Sequence, residues 1–136
     1  MRLVVDSNIL FAALIKDAYV RKIFLHLNFD YFIIPMNYRE IAKYKKELLR
    51  KAGVNESSFE IILDQLTRRC VLVEDKVVIS KWSEAKGIMW KIDPKDTPFV
   101  AAALALGADI WSDDAHFGKQ KKVKVWKTAD LVKLLE

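Results

Sequence analysis

The chain has 136 residues, 52% of them hydrophobic and 30% charged, with a formal net charge of +5. That length suits one domain, spanning residues 1–136, with a real core, and the composition is that of a globular protein rather than a disordered or fibrous one. No run approaches the roughly 18 apolar residues of a membrane span, and Cys70, the single cysteine, excludes an intrachain disulfide or a cysteine-rich zinc site. Arg2 precedes an apolar run at the N-terminus, but Asp6 and Asn8 interrupt it and no small-residue cleavage site follows. A secretory signal is therefore not expected, and a cytoplasmic protein is. The positive balance admits a polyanionic partner such as nucleic acid.

Arg2 to Val5 is a short apolar run that stops at Asp6, which predicts a buried strand delivering a carboxylate to a sheet edge. Behind it, Val20, Ile23, Phe24 and Leu27 keep helical spacing, so a helix or helical pair is expected to about Asn28. Tyr31 to Ile34, closed by Pro35, suits a second buried strand. A lysine-rich helix follows with Ile41, Tyr44 and Leu48 on its apolar face, and Gly53 ends it. Asn55 or Ser58 can cap the next helix, whose stripe is Phe59, Ile62, Leu63 and Leu66. Cys70 to Val73 reads as a third strand, and Val78, Trp82, Ala85 and Met89 have the spacing of a helix. Asp93-Pro94 is a turn signal. Asp96-Thr97-Pro98 opens an alanine-rich helix running to Gly107, with proline in the first turn and glycine at the end. Ala108 to Trp111 reads as a fourth strand and Val123 to Val125 as a fifth. Thr128 can cap a final helix carrying Leu131, Val132 and Leu135. Strands alternating with helices make this an α/β chain with a parallel sheet covered on both faces.

Acids fall at these strand ends and helix starts: Asp6, Glu40, Asp96, Asp113 and Asp114. In a parallel sheet the loops after the strands share one edge, and right-handed crossovers restrict their order, so acids distant in sequence can converge. Two like charges about 4 Å apart repel by roughly 4 kcal/mol at an effective dielectric near 20. A divalent cation removes that conflict, and an all-oxygen donor set favours Mg²⁺ or Mn²⁺ over zinc. Each acid also has a purely structural reading. Asp6, Ser7 and Asn8 are favoured helix caps, and Asn37 and Glu40 have capping-box spacing. Asp96 suits the positive end of a helix dipole, while Asp93, Asp113 and Asp114 suit turns. The structural readings explain the acids one at a time; the metal reading explains them together.

Four short motifs in order carry a family resemblance. They are Asp6-Ser7-Asn8 after the first strand, Glu40 in the next helix, Asp96-Thr97-Pro98-Phe99-Val100-Ala101-Ala102-Ala103, and Trp111-Ser112-Asp113-Asp114-Ala115-His116-Phe117. In order and spacing the chain resembles the PIN-domain nucleases, which include the toxin ribonucleases of VapBC-type toxin–antitoxin pairs. The resemblance implies a three-layer α/β/α sandwich around a central parallel sheet and a Mg²⁺- or Mn²⁺-dependent site of four acids. Asp6, Glu40 and Asp96 match the first three. The family's fourth motif often reads Thr-Asn-Asp-x-Asp-Phe, which places Ser112 on the threonine and Asp114 on the leading acid, with Asp113 the fallback. His116 stands where the motif has a second Asp, a departure that bears on the number of metals bound.

The expected reaction is hydrolysis of a phosphodiester bond, with RNA as substrate and Asp6, Glu40, Asp96 and Asp114 as metal and catalytic residues. Ser7, Asn8 and Ser112 are candidates to orient those carboxylates. Arg39, Lys43 and Lys46 lie near Glu40, and His116, Lys119, Lys121, Lys122 and Lys124 follow the fourth motif; either group can meet phosphates, or simply be a solvated face. Trp126 can stack a base or pack in the core. A homodimer and an antitoxin protein are the partners the resemblance implies. The competing readings are a structure-selective DNA nuclease and a non-catalytic RNA- or protein-binding module. A phosphoacceptor domain is set aside because Ser7, not an acid, follows Asp6.

Overall fold

A computed structural model describes residues 1–136. Leu3 and Val5 of strand β1 (Arg2–Val5) turn to one face of a sheet and Val4 to the other, and this alternation divides the protein into layers. Two helices, α1 (Ser7–Ile15) and α2 (Ala18–His26), lead to β2 (Asp30–Ile33). The long α3 (Pro35–Ala52), α4 (Glu56–Thr67), β3 (Cys70–Leu72), α5 (Asp75–Ile79) and α6 (Trp82–Met89) follow. A 3₁₀ turn (Pro94–Asp96) enters α7 (Thr97–Leu106), and β4 (Asp109–Trp111), β5 (Val125–Trp126) and α8 (Thr128–Val132) complete the fold. No helix is long and apolar enough to cross a membrane.

The sheet order is β3-β2-β1-β4-β5, with every neighbouring pair parallel. Val4 pairs with Phe32 and Ile110 and shares their face, while Leu3 and Val5 pair with Tyr31 and Trp111 on the opposite one. The first face packs Val78, Ala85, Met89 and the Phe99–Ala103 run of α7. The second packs Leu10, Leu14, Ile23, Phe24, Ile41, Leu48, Phe59 and Leu131. Each fully buried Leu, Ile or Val contributes about 1.5–3 kcal/mol, so helices on both faces of this sheet are required to cover it. The result is the expected three-layer α/β/α sandwich.

The chain leaves β1 towards β2 and β3, then crosses to β4 on the other side of β1. The carboxyl ends of β1 and β4 therefore flank the switch in strand order, where loops diverge and open a crevice. α7 feeds this crevice from below: Thr97 to Ala103 are all buried, and the alanines let it lie close against β1 and β4. Gly107 ends α7 with φ +60, the left-handed backbone that glycine adopts without Cβ strain.

Several boundaries differ from expectation for physical reasons. The helical pair before Asn28 breaks at Lys16, which takes a left-handed φ of 112, and Asp17 caps α2 by accepting from the Tyr19 and Val20 amides. The helical spacing from Val78 to Met89 spans two helices, because the Ser80 hydroxyl bonds back to the Val77 carbonyl and interrupts the ladder. Val78, Ala85 and Met89 still share one face and one core. β5 lies later than Val123–Val125, since the Gln120 amide occupies both the N–H and the carbonyl of Val123. Lys127, not Thr128, caps α8, with Asp130 accepting the Lys127 N–H at 3.0 Å. β3 forms one edge of the sheet, and its apolar Val71 and Leu72 are exposed.

Candidate active site

Asp6 sits one residue past β1, where its N–H still donates to the Trp111 carbonyl of β4 at 3.0 Å. It heads α1 but its side chain makes no capping bond. Its Oδ2 instead accepts from the Ser112 hydroxyl at 2.7 Å, and it is only 5% exposed. The Ser112 oxygen in turn accepts the Asp114 N–H at 3.0 Å, and Asp114 Oδ1 accepts the His116 N–H at 2.9 Å. The turn after β4 is thus folded around Ser112, which fixes Asp114 relative to Asp6.

Glu40 reaches the same edge from α3. The capping box that the Asn37–Glu40 spacing allows does not form, because Pro35 starts the helix three residues earlier and Asn37 takes the N3 position. Asn37 Oδ1 accepts the Ile34 N–H at 2.7 Å, and its Nδ2 donates to the Val5 carbonyl and to Ser7 Oγ, both at 3.0 Å. The Ser7 hydroxyl in turn donates to Glu40 Oε1 at 2.8 Å. Asn37 is completely buried and every one of its polar groups is used. Asn8 is exposed and lines a groove of about 530 Å³ with Glu40, Tyr44 and Glu47.

Asp96 arrives from the 3₁₀ turn before α7. It occupies the N-cap position without bonding the helix, and its Oδ2 is buried with no partner. The acids feel one another. Burial, then repulsion from Asp6, Asp93, Asp114 and Glu40, pushes the Asp96 carboxyl up to about 7. Asp6 is raised to about 6 by burial, against the opposing Ser112 hydrogen bond, with Asp114 and Glu40 adding to the rise. Burial is the larger cause of both shifts, and the added repulsion shows that Asp6, Glu40, Asp96 and Asp114 lie near enough to feel one another's charge. Carboxylate oxygens, one of them buried and unbonded, fit a hard divalent cation.

Asp113 faces elsewhere. Its two oxygens accept the Thr128 N–H and hydroxyl, each at 2.7 Å, and tie the start of α8 to the turn after β4. The closest grouping of potential ligand atoms contains two residues outside the four acids: Asp93 and His116 join Asp96 with their ligand atoms within 4.8 Å of one another. Asp93 before Pro94 has the sequence signature of a turn residue, and it does accept the Lys95 N–H. The available signal was its spacing, one helical turn before Asp96. Asn37 has the sequence signature of a cap, and only the packed structure places it behind Ser7.

Arg39 lies on the exposed side of α3, 3.8 Å from Asp75, and Lys43 stands over the Tyr44 ring. Lys46, Lys119, Lys121 and Lys122 are exposed. Trp126 is half-buried, with its indole N–H on Asp109 and Lys124 against its face.

A family model described as PIN domain matches residues 4–136. In structure, the chain is similar to a chain of VapBC2 from Rickettsia felis, whose crystal structure is bound to a DNA fragment from their promoter. The TM-score is 0.72 at 15% identity, covering 93% of this chain and 98% of that one, a likeness of fold. No curated protein matches the chain. The family match runs from β1 to the C-terminus and takes in every acid of the pocket, so the chain belongs to the PIN-domain family, whose members are generally nucleases.

Proposed function

We propose that residues 1–136 act as a Mg²⁺- or Mn²⁺-dependent endoribonuclease. The observation that carries this reading is that Asp6, Glu40, Asp96 and Asp114 come from four separate segments to the β1–β4 edge, where burial first and then their mutual repulsion raise Asp6 and Asp96. A surface built only to bind phosphates has no use for such crowding of negative charge. Asp6, Asp96 and Asp114 hold the cation. A divalent cation held there would supply Lewis-acid polarisation of the phosphodiester and activation of water. Ser112 holds Asp6 in place, and the Asn37–Ser7 relay holds Glu40 through Oε1. Glu40 Oε2 is thereby left to orient the water for in-line attack. Arg39, Lys43 and Lys46 on one side, and Lys119, Lys121 and Lys122 on the other, supply cations for the RNA backbone.

We further propose that the chain is the toxin of a VapBC-type pair, present in the cytoplasm as a homodimer and restrained by an antitoxin protein. The family resemblance and the likeness of fold support this. Exposed Leu25, Ile61, Ile79 and Trp90 offer apolar surface for such contacts.

The test is cleavage of a labelled RNA pool, beside single-stranded and structured DNA, with Mg²⁺, Mn²⁺ or EDTA. Wild type is compared with Asp6→Asn and Asp96→Asn, each verified as folded. Metal-dependent RNA cutting lost in both variants supports the reading. Cutting that survives both substitutions refutes the site, and preferential cutting of DNA refutes the substrate.

A further inference from the structure

We propose that Asp93, Asp96 and His116 form a mixed nitrogen–oxygen cation position beside the carboxylate pocket, one that takes Mn²⁺ or a later first-row divalent ion in preference to Mg²⁺. It shares Asp96 with the nuclease site and rests on that reading for its catalytic consequence, though not for binding itself.

Geometry comes first. Asp93 and Asp96 stand at the two ends of one 3₁₀ turn, and His116 comes from the loop after β4, so two distant segments present their ligand atoms within 4.8 Å of one another. The second observation is independent of that closeness. Only three buried side-chain nitrogen or oxygen atoms in the protein lack a hydrogen-bond partner, and two of them are Asp96 Oδ2 and His116 Nδ1. Leaving a buried polar atom unpaired costs about 1–3 kcal/mol, so such atoms call for a specific reason. His116 Nδ1 lies 3.2 Å from Asp93 Oδ2 and 3.5 Å from Asp114 Oδ1, yet neither contact has hydrogen-bond alignment. The nitrogen faces carboxylates without donating to them. A cation between these atoms would satisfy Asp96 Oδ2 and His116 Nδ1 together.

The donor types decide which cation. Carboxylates alone suit Mg²⁺, whereas an imidazole nitrogen shifts preference towards Mn²⁺ and the ions after it in the first row. Three protein ligands leave coordination positions open to water or a phosphate oxygen. The competing account is a protonated His116 that clamps Asp93 and Asp114 as a plain ion pair.

The experiment is Mn²⁺ titration of the whole chain followed by electron paramagnetic resonance, with competition by Mg²⁺. Electron spin-echo modulation then reads directly bonded nitrogen on unlabelled and ¹⁵N-labelled protein. The expected result is imidazole nitrogen coupling to Mn²⁺ that vanishes in His116→Asp. Deleting even an outer partner of a metal ligand typically costs 10–100-fold in affinity, so exchanging the ligand should lower the Mn²⁺-over-Mg²⁺ preference by about tenfold or more. Asp93→Asn, which keeps the turn acceptor, should weaken Mn²⁺ with nitrogen coupling retained. Bound Mn²⁺ without nitrogen coupling, no Mn²⁺ binding at all, or an unchanged preference in folded His116→Asp would each overturn the proposal. RNA cleavage is read separately. Nitrogen-coupled Mn²⁺ on a chain that cuts no RNA removes the nuclease reading and leaves this position standing, and cutting without nitrogen coupling does the reverse.

Discussion

Ser112 and Asp6 are 106 positions apart in sequence, yet the Ser112 hydroxyl, fully buried, donates to Asp6 Oδ2 at 2.7 Å. Ser112 Oγ also accepts the Asp114 N–H, so one side chain sets the spacing of two acids. Ser112→Ala removes both bonds. Partners that orient metal ligands typically matter by 10–100-fold in affinity, and Mn²⁺ binding should fall by about that range. Stability should drop by about 1–2 kcal/mol, with two buried polar groups losing a partner. Calorimetric titration and urea unfolding measure the two effects.

The raised carboxyls make the metal-free protein sensitive to pH in an unusual direction. Asp6 titrates near 6 and Asp96 near 7, both from an ordinary value of 3.8. Between those limits the folded state holds protons that the unfolded state has lost. Stability is therefore full below about pH 4 as far as these two groups are concerned, and it declines as pH rises through 6 and 7. The apparent Tm in EDTA should be several degrees lower at pH 8 than at pH 5. Saturating Mn²⁺ should reverse the trend by binding the ionised forms. Scanning calorimetry across pH, with and without metal, checks both signs.

Asp113 and Asp114 are neighbours with opposite assignments. Asp113 holds Thr128, whose hydroxyl also accepts the Trp111 indole N–H at 3.1 Å, and so secures α8. Asp113→Ala should lower stability by about 1 kcal/mol and leave Mn²⁺ affinity and cleavage within about twofold of wild type, as for a change that touches no ligand. Asp114→Asn should retain the His116 N–H acceptor and the fold, but lose cleavage by about 100-fold or more. Equal effects of the two substitutions would place Asp113 in the site.

Asn37 is the most costly polar residue to remove behind the pocket. Asn37→Leu leaves the Ile34 amide, the Val5 carbonyl and the Ser7 hydroxyl short of partners in a fully buried position. The expected loss is about 3 kcal/mol. Asn37→Asp keeps the acceptor for Ile34 but replaces the donor with a charge facing Ser7 and Glu40, and should lower activity more than its stability alone explains. Denaturant unfolding and cleavage assayed on the same preparations separate the two.

Strand and helix order was legible in the sequence because apolar runs and helical spacing report burial directly, and β1, β2, β4 and α7 sit within a residue or so of where Arg2–Val5, Tyr31–Ile34, Ala108–Trp111 and Asp96–Gly107 pointed. Asp6, Glu40, Asp96 and Asp114 stand out in the sequence too, since a carboxylate at a strand end or in a motif shared with a known family is visible residue by residue. What only the tertiary structure decided was who bonds whom. Asn37 and Glu40 had the spacing of a cap, but Pro35 moved the helix start and released Glu40 to Ser7. Asp113 and Asp114 were indistinguishable as neighbours until the turn after β4 sent one to Thr128 and the other to the pocket. Asp93 and His116 became a pair only through the packing of the loop after β4 against the turn before α7. Local pattern follows from the periodicity of burial, which each segment carries in itself; hydrogen-bond partners across the crevice follow from strand order and loop geometry, which no single segment contains.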